Sequence, residues 1–146
     1  MNILEMLRAG LTTTSAEATR AAAAKFAATL PPDTTLALHG TLGVGKTTFV
    51  QGLARGLGIS GPVTSPTFNI FTLHRGRVNL LHLDAYRLEN AQQVEDLLLE
   101  DFMISPWCLA VEWPEKIPDW LPPTTQHLEL SITPDEKHTL RLRSAK

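Results

Sequence analysis

The eight residues from Gly40 to Thr47 constrain the fold of this chain more than any other segment. They read GTLGVGKT and fit the pattern G-x-x-x-x-G-K-[ST]. Glycines at this spacing let successive backbone N–H groups turn inward around a phosphate, and the helix that follows presents its positive N-terminal end to the anion. In this interpretation Lys46 reaches the β- and γ-phosphates of a nucleotide, and the hydroxyl of Thr47 is a ligand of Mg²⁺.

The segments on either side of this loop have the order that a phosphate-binding loop requires. Residues 34–39 (TTLALH) form a short apolar run typical of a β-strand, and apolar residues recur at helical spacing from Phe49 to Leu57. The sequence therefore predicts a strand, a glycine-rich loop and a helix in succession. The residues predicted to wrap the nucleotide are Gly40, Thr41, Leu42, Gly43, Val44, Gly45, Lys46, Thr47 and Thr48.

Two further helices are predicted outside this unit. One covers Ser15 to Leu30, where strong helix formers follow Thr14 and Glu17, which have capping-box spacing, and two prolines end the run. The other covers Gln92 to Leu99. The apolar runs that lie between the predicted helices are expected to form a sheet.

Four apolar runs predict two β-hairpins, and a fifth predicts a buried strand. FNIFTL and VNLLHLD flank the turn HRGR, and HLELSIT and HTLRLR flank PDEK. The buried strand is CLAVE, residues 108–112. The predicted fold is an α/β domain of the P-loop NTPase type, a mixed sheet with a parallel centre and antiparallel hairpins, flanked by helices.

Two carboxylates are candidates for the second metal or water-positioning group that a phosphate-binding loop needs. Asp84 ends NLLHLD and Glu112 ends CLAVE. Both stand at the carboxyl end of an apolar run, which is the edge where open α/β sheets bind ligands. For each residue the alternative is a carboxylate that caps the next turn.

The loop VTSPTF, residues 63–68, follows the predicted phosphate-binding helix, where switch segments lie in nucleotide-binding proteins. The hydroxyl of Thr67, or next that of Ser65, is expected to approach the γ-phosphate or Mg²⁺. The alternative is an ordinary loop, because SPT is also a plain turn signal.

The charge distribution argues against tight binding of nucleic acid by this chain alone. The net charge is −2, but residues 1–83 carry seven basic and three acidic side chains, and residues 84–119 carry two basic and nine acidic ones. Nucleic-acid binders usually present a basic stripe, whereas the densest run here is acidic, from Glu89 to Asp101. That run is either a solvated helix face or a docking surface.

Length and hydropathy predict one domain, residues 1–146, in the cytoplasm. Domains of this size bury a substantial core. No apolar run approaches the length of a membrane-spanning helix, and the N-terminal residues do not resemble a secretory signal. The single cysteine, Cys108, excludes an internal disulfide and a multi-cysteine metal site.

Four motifs together resemble one protein family. GTLGVGKTT, SPTF, HLDAYRL and EWPE follow one another at separations similar to those of the TsaE family, also called YjeE, over about Leu38 to Pro122. These are small bacterial P-loop ATPases that act in making threonylcarbamoyladenosine beside the tRNA anticodon. The last two motifs are much more specific to the family than the phosphate-binding loop, which many families share.

The resemblance implies an ATP and Mg²⁺ site, slow ATPase activity, and work in a complex with TsaD and TsaB, in which TsaD carries the transferase chemistry. The chain alone would be a monomer or a weak oligomer, and tRNA contact would be indirect through the complex. Thr41 and Val44 stand where the family usually has Asp and Ala. Neither Asp nor Ala is needed at these positions to wrap a phosphate, so nucleotide binding is still expected. The difference at position 41 puts in doubt a role in coupling for a carboxylate at that position.

The resemblance also implies roles for individual residues. The family's switch threonine corresponds to Thr67, its H-x-D acid to Asp84, and its strand-end metal ligand to Glu112, with Trp113 beside that ligand. On this reading Lys46, Asp84 and Thr67 are catalytic, and Thr47 and Glu112 hold the metal. The family contacts adenine near its first helix, which here points to Glu17 or Ser15.

Alternative interpretations remain open from the residues. A small-molecule or nucleotide kinase would share the loop, but arginines that could clamp phosphates are scarce after it. A nucleotide-dependent binding module that does not hydrolyse ATP would share every residue of the site. His82, inside HLD, alternates with apolar neighbours, which favours a packed histidine; its position two residues before Asp84 leaves a role in the site as the alternative.

Overall fold

The fold is that of a computed structural model, which describes residues 2–41, 43–63 and 70–143. In these ranges seven strands form one sheet in the order β1-β7-β6-β2-β5-β4-β3. The strands are β1 (Leu11–Thr13), β2 (Thr34–His39), β3 (Phe71–His74), β4 (Asn79–Asp84), β5 (Trp107–Glu112), β6 (Gln126–Ile132) and β7 (His138–Leu142). The helices are α1 (Ile3–Ala9), α2 (Ala16–Ala27), α3 (Lys46–Gly56) and α4 (Ala91–Glu95), with 3₁₀ turns at Leu99–Phe102, Pro114–Lys116 and Pro118–Trp120.

The sheet has a parallel centre and antiparallel edges. Strand β2 pairs in parallel with β5 and with β6, and β5 pairs in parallel with β4. Strands β3 and β4 form one antiparallel hairpin and β6 and β7 the other, and β1 extends the sheet beyond β7. Both predicted hairpins and the mixed α/β fold are confirmed, and the carboxyl ends of β2, β5 and β4 lie along one edge.

Apolar side chains cover the sheet on both faces. On one face α2 and α3 pack against alternate residues of the central strands, including Leu36, Leu38 and Ala110. The other face buries Leu109 and Val111 of β5 beneath α4 and the 3₁₀ turns. This alternation along β5 sets which of its residues face α3, and Glu112 falls on the same side as Ala110.

Helices α2 and α3 approach each other closely because α3 carries glycine at the contact. A Cβ atom on Gly52 would lie 2.6 Å from the Cβ of Ala23 and would also meet the carbonyl oxygen of Arg20. The rings of Phe26 and Phe49 pack beside this contact with their centres 6.2 Å apart. Small residues at this crossing thus let α2 and α3 pack closely, which fixes the position of α3 and of the loop before it.

The predicted bounds of two helices are wrong. The first helix is capped by Ser15, whose side chain accepts a hydrogen bond from the N–H of Ala18, and not by Thr14. It ends at Ala27, whereas the two prolines predicted an end at Leu30. The helix predicted over 92–99 is shorter: α4 ends at Glu95, and Leu98 has a left-handed backbone (φ 55°) that separates it from the next 3₁₀ turn.

The N-terminal helix and strand were not predicted. Asn2 caps α1 by accepting a hydrogen bond from the N–H of Glu5, and Gly10 ends the helix with φ 94°. Leu7 of this short helix is fully buried, so α1 closes one end of the core. In the described part of the chain no helix is long and apolar enough to cross a membrane.

Candidate functional site

The glycine-rich loop lies between the carboxyl end of β2 and the first turn of α3, as predicted. Gly43 and Gly45 have φ angles of 84° and 96°, which residues with a side chain rarely adopt. At Gly40 a Cβ atom would lie 2.6 Å from both the carbonyl oxygen of Leu130 and a methyl group of Val44. These three positions therefore require glycine.

The start of α3 has no side-chain cap among the described residues. Its N-cap residue is Gly45, which has no side chain to occupy the first N–H groups. None of the described residues outside the immediate chain neighbours lies within 4 Å of the place where a Cβ atom of Gly43 would stand. On the outer side of the loop, Nδ1 of His138 donates a hydrogen bond to the carbonyl oxygen of Val44 over 3.0 Å. The loop is thus anchored to β7 while its N–H groups at the helix start stay available.

Lys46 is held in place by a hydrogen bond and an aromatic ring. Its Nζ donates to the carbonyl oxygen of Gly40 over 2.7 Å and lies 3.7 Å from the centre of the Trp113 ring. Only 5% of the side chain is exposed. Burial lowers the pKa of Lys46, and the carboxylates of Glu112, Glu115 and Asp84 oppose that change. The ammonium group therefore sits where an anionic phosphate would relieve its desolvation.

The two candidate carboxylates are neighbours. Strands β4 and β5 pair Asp84 with Glu112, and β2 pairs Leu38 with Glu112, so both carboxylates stand at the edge from which the glycine loop leaves. Glu112 is buried and Asp84 is half-buried. One oxygen of Asp84 accepts a hydrogen bond from the N–H of Tyr86, the turn-capping contact that was the alternative interpretation.

His82 lies directly beneath these carboxylates. Its Nε2 is 2.5 Å from Oε2 of Glu112, and its side chain is fully buried. Its Nδ1 is buried as well and has no hydrogen-bond partner among the residues that the structure describes. The packed-histidine interpretation is correct as to burial, but it missed the contact with Glu112, which only the parallel pairing of β4 and β5 creates.

Trp113 follows Glu112 in a left-handed backbone conformation with φ 58°, which is uncommon for a bulky residue. This conformation turns the ring back over Lys46. The ring of Tyr86 packs against it with the centres 5.0 Å apart, and Nζ of Lys116 lies 5.7 Å from the Tyr86 ring centre. Trp113, in this strained conformation, and Tyr86 thus form an aromatic surface beside Lys46.

Other predicted site residues have less defined surroundings. Glu17 forms a two-pronged ion pair with Arg55 at 2.6 and 3.0 Å, and the hydrogen bond from Arg55 lowers the pKa of the Glu17 carboxyl. Ser15 caps α2. Thr41 is exposed, whereas Thr47 and Thr48 in the first turn of α3 are half-buried. Leu42, Ser65 and Thr67 lie outside the described residues.

The oxygen donors at this edge suit Mg²⁺ bound together with a nucleotide. A threonine hydroxyl and two carboxylates are hard ligands of the kind that this ion prefers. In residues 2–41, 43–63 and 70–143 no cluster of three or more His, Cys, Asp or Glu side chains could hold a metal ion on its own.

Residues 13–142 match the family model described as threonylcarbamoyl adenosine biosynthesis protein TsaE. The chain belongs to the TsaE family. Two curated relatives, each named tRNA threonylcarbamoyladenosine biosynthesis protein TsaE, align over most of its length. The protein of Bacillus subtilis is 37% identical over 88% of this chain and 80% of the relative, and that of Rickettsia bellii is 33% identical over 92% and 94%.

A third TsaE relative and a solved structure complete the comparison. The Synechocystis protein is 48% identical over 101 residues, which are 64% of this chain and 62% of that relative, so the match spans about three fifths of its length. The crystal structure of Bacillus subtilis YdiB superposes with a TM-score of 0.79 at 30% identity, covering 94% of this chain and 85% of that one. The TsaE assignment and the P-loop fold predicted from the motifs are both confirmed.

Proposed function

We propose that this chain binds and hydrolyses ATP as a component of tRNA threonylcarbamoyladenosine biosynthesis. The observation that carries the proposal is the position of Lys46, a buried ammonium group in the first turn of α3, at the sheet edge where Asp84 and Glu112 meet. The names of the TsaE relatives supply the pathway. TsaD and TsaB are the proposed protein partners, the cytoplasm is the proposed compartment, and contact with tRNA is made through the complex.

The loop and Lys46 would bind the phosphates. The N–H groups at the start of α3 and the glycine loop face the β-phosphate, while Lys46 exchanges its hydrogen bond with the Gly40 carbonyl for one with the β- and γ-phosphate oxygens. Among the described residues, Nζ of Lys46 donates to one carbonyl oxygen, that of Gly40, so its other donors would remain for the ligand. The developing charge on the transferred phosphoryl group is stabilised by the same contacts.

The carboxylates would hold the metal and the water. Thr47 and Glu112 would hold Mg²⁺, which when bound neutralises phosphate charge and orients the leaving group. Asp84 would orient the attacking water, since its half-buried position gives it access to solvent that Glu112 lacks. Thr67 would contact the γ-phosphate, and Glu17 or Ser15 the adenine.

Hydrolysis by the chain with TsaD and TsaB tests these roles. Asp84→Asn and Glu112→Gln should each lower ATP turnover by at least tenfold, while calorimetric titration with ADP in EDTA shows an affinity within about threefold of the unmodified protein. Asp119→Asn, at an exposed acid in the second 3₁₀ turn after β5, is the matched control. Unchanged turnover in either site variant would remove that residue from the mechanism.

A further inference from the structure

The hydrogen bond between His82 and Glu112 is enclosed by the sheet. His82 lies on β4 opposite Ala110 of β5, and Glu112 is the next residue on the same face of β5. The small side chain of Ala110 leaves the imidazole room to reach Glu112 diagonally. Both side chains are almost entirely buried, so solvent does not compete for the contact.

The chemistry of the two groups decides where the proton lies. A carboxylate that ligates a metal is deprotonated and only accepts hydrogen bonds, so in that role of Glu112 the Nε2–H group of His82 would be the donor to Oε2. The Oε2 atom of Glu112 is thereby occupied. The orientation of the carboxylate is then set by the imidazole.

A purely structural role explains this arrangement poorly. The other residues of β4 around His82 are Leu81 and Leu83, which are fully buried and apolar. Nδ1 of His82 is buried with no partner among the described residues, which costs stability that an apolar side chain in the same place would avoid. The contact that its Nε2 makes with Glu112 is therefore the feature that a functional role would use.

We propose that His82 is a positioning residue that holds the carboxylate of Glu112 by its Oε2 and so directs Oε1 toward the metal. Carboxylates that ligate metals are commonly fixed by such a second hydrogen bond, and loss of it typically costs about 10–100-fold in metal affinity or activity. The proposal rests on the proposed function, since Glu112 is a metal ligand only within it.

Two conservative variants separate positioning from packing. The amide nitrogen of glutamine falls near the place of Nε2, and that of asparagine near the place of Nδ1. In the presence of TsaD and TsaB, His82→Asn should lower kcat for ATP at least tenfold and raise the Mg²⁺ concentration for half-maximal turnover at least tenfold. His82→Gln should restore both to within about threefold of the unmodified protein. His74→Gln, on the neighbouring strand β3, is the matched control.

The outcomes are distinct. Turnover and Mg²⁺ dependence of His82→Asn equal to those of the unmodified protein would overturn the proposal, and so would equal losses in His82→Asn and His82→Gln. If the unmodified chain itself shows no Mg²⁺-dependent ATP hydrolysis with its partners, the proposed function fails, whatever the variants do.

A measurement that leaves His82 in place covers the case in which His82→Asn does not fold. In the full chain labelled with ¹⁵N at histidine, without nucleotide or metal, the imidazole nitrogen shifts report which nitrogen is protonated. We expect a proton on Nε2 of His82, and its signal should change in Glu112→Gln. A bare Nε2 in the unmodified chain would overturn the proposal.

Discussion

The ammonium nitrogen of Lys46 lies 3.7 Å from the centre of the Trp113 ring while it donates a hydrogen bond to the carbonyl oxygen of Gly40. A phosphate that draws Lys46 away must break the hydrogen bond and weaken the cation–π contact. The ring of Trp113 is thus a natural reporter of what Lys46 contacts.

Tryptophan fluorescence should therefore follow nucleotide binding. Addition of ADP with Mg²⁺ should change the emission of the unmodified chain, because the charged group beside the Trp113 ring moves. Trp113→Phe should abolish the change, while Trp120→Phe, at a half-buried tryptophan in the second 3₁₀ turn after β5, should retain it. A full change in Trp113→Phe would show that Lys46 does not leave the ring.

The contact between α2 and α3 makes a prediction about stability with a definite sign. Alanine is a better helix former than glycine by about 1 kcal/mol, so propensity alone predicts that Gly52→Ala stabilises the chain. The Cβ atom would instead meet Ala23 at 2.6 Å and the Arg20 backbone, which cannot easily move. Overpacking of this kind costs about 1–3 kcal/mol, so we expect net destabilisation.

Urea unfolding measures this effect. Arg55→Ala, on an exposed side of the same helix, is the control and should change the free energy of unfolding much less than Gly52→Ala does, since the ion pair it removes is exposed and screened by solvent. A Gly52→Ala chain more stable than the unmodified one would mean that the two helices do not touch as described.

The pair formed by His39 and His127 makes stability depend on pH. Nε2 of His39 and Nδ1 of His127 share one hydrogen bond of 2.8 Å at the carboxyl end of β2. Burial, together with Arg143, His127 and Lys46 and against the opposing effect of Glu129, lowers the pKa of His39 to about 4. Burial and Arg143 also lower the pKa of His127.

Between pH 6.5 and about 4, the unfolded chain binds a proton at His39 that the folded chain does not. The free energy of unfolding should therefore fall as the pH is lowered through this window. In His39→Gln the fall should be shallower, while above pH 7 the two chains should have parallel pH profiles. Equal slopes of both chains between pH 6.5 and 4, measured by urea unfolding, would contradict the assignment.

Local sequence patterns were sufficient for most of the fold and for the phosphate-binding loop. Strand β2, the glycine loop and helix α3 are contiguous, so spacing within about twenty residues determines their order. Asp84 and Glu112 could be placed at one sheet edge because each ends an apolar run, and parallel strands end at the same edge. Those features depend on residues that are close in the sequence.

The features that were missed depend on contacts between distant segments. The bond from His82 to Glu112 exists only because β4 and β5 pair in one particular register. The ring of Trp113 lies over Lys46 because its own backbone is left-handed, which no sequence pattern around EWPE indicates. Helix α1 is so short that its stability comes from burying Leu7 in the core.

The most direct test of the account is the rate of ATP hydrolysis by this chain in the presence of purified TsaD and TsaB, compared with the Lys46→Ala variant. Lys25→Ala, at an exposed lysine of α2, is the matched control. The account predicts Mg²⁺-dependent hydrolysis by the unmodified chain and by the control, and loss of both ATP binding and hydrolysis in Lys46→Ala. Binding and hydrolysis of ATP by Lys46→Ala at the rate of the unmodified chain would contradict it.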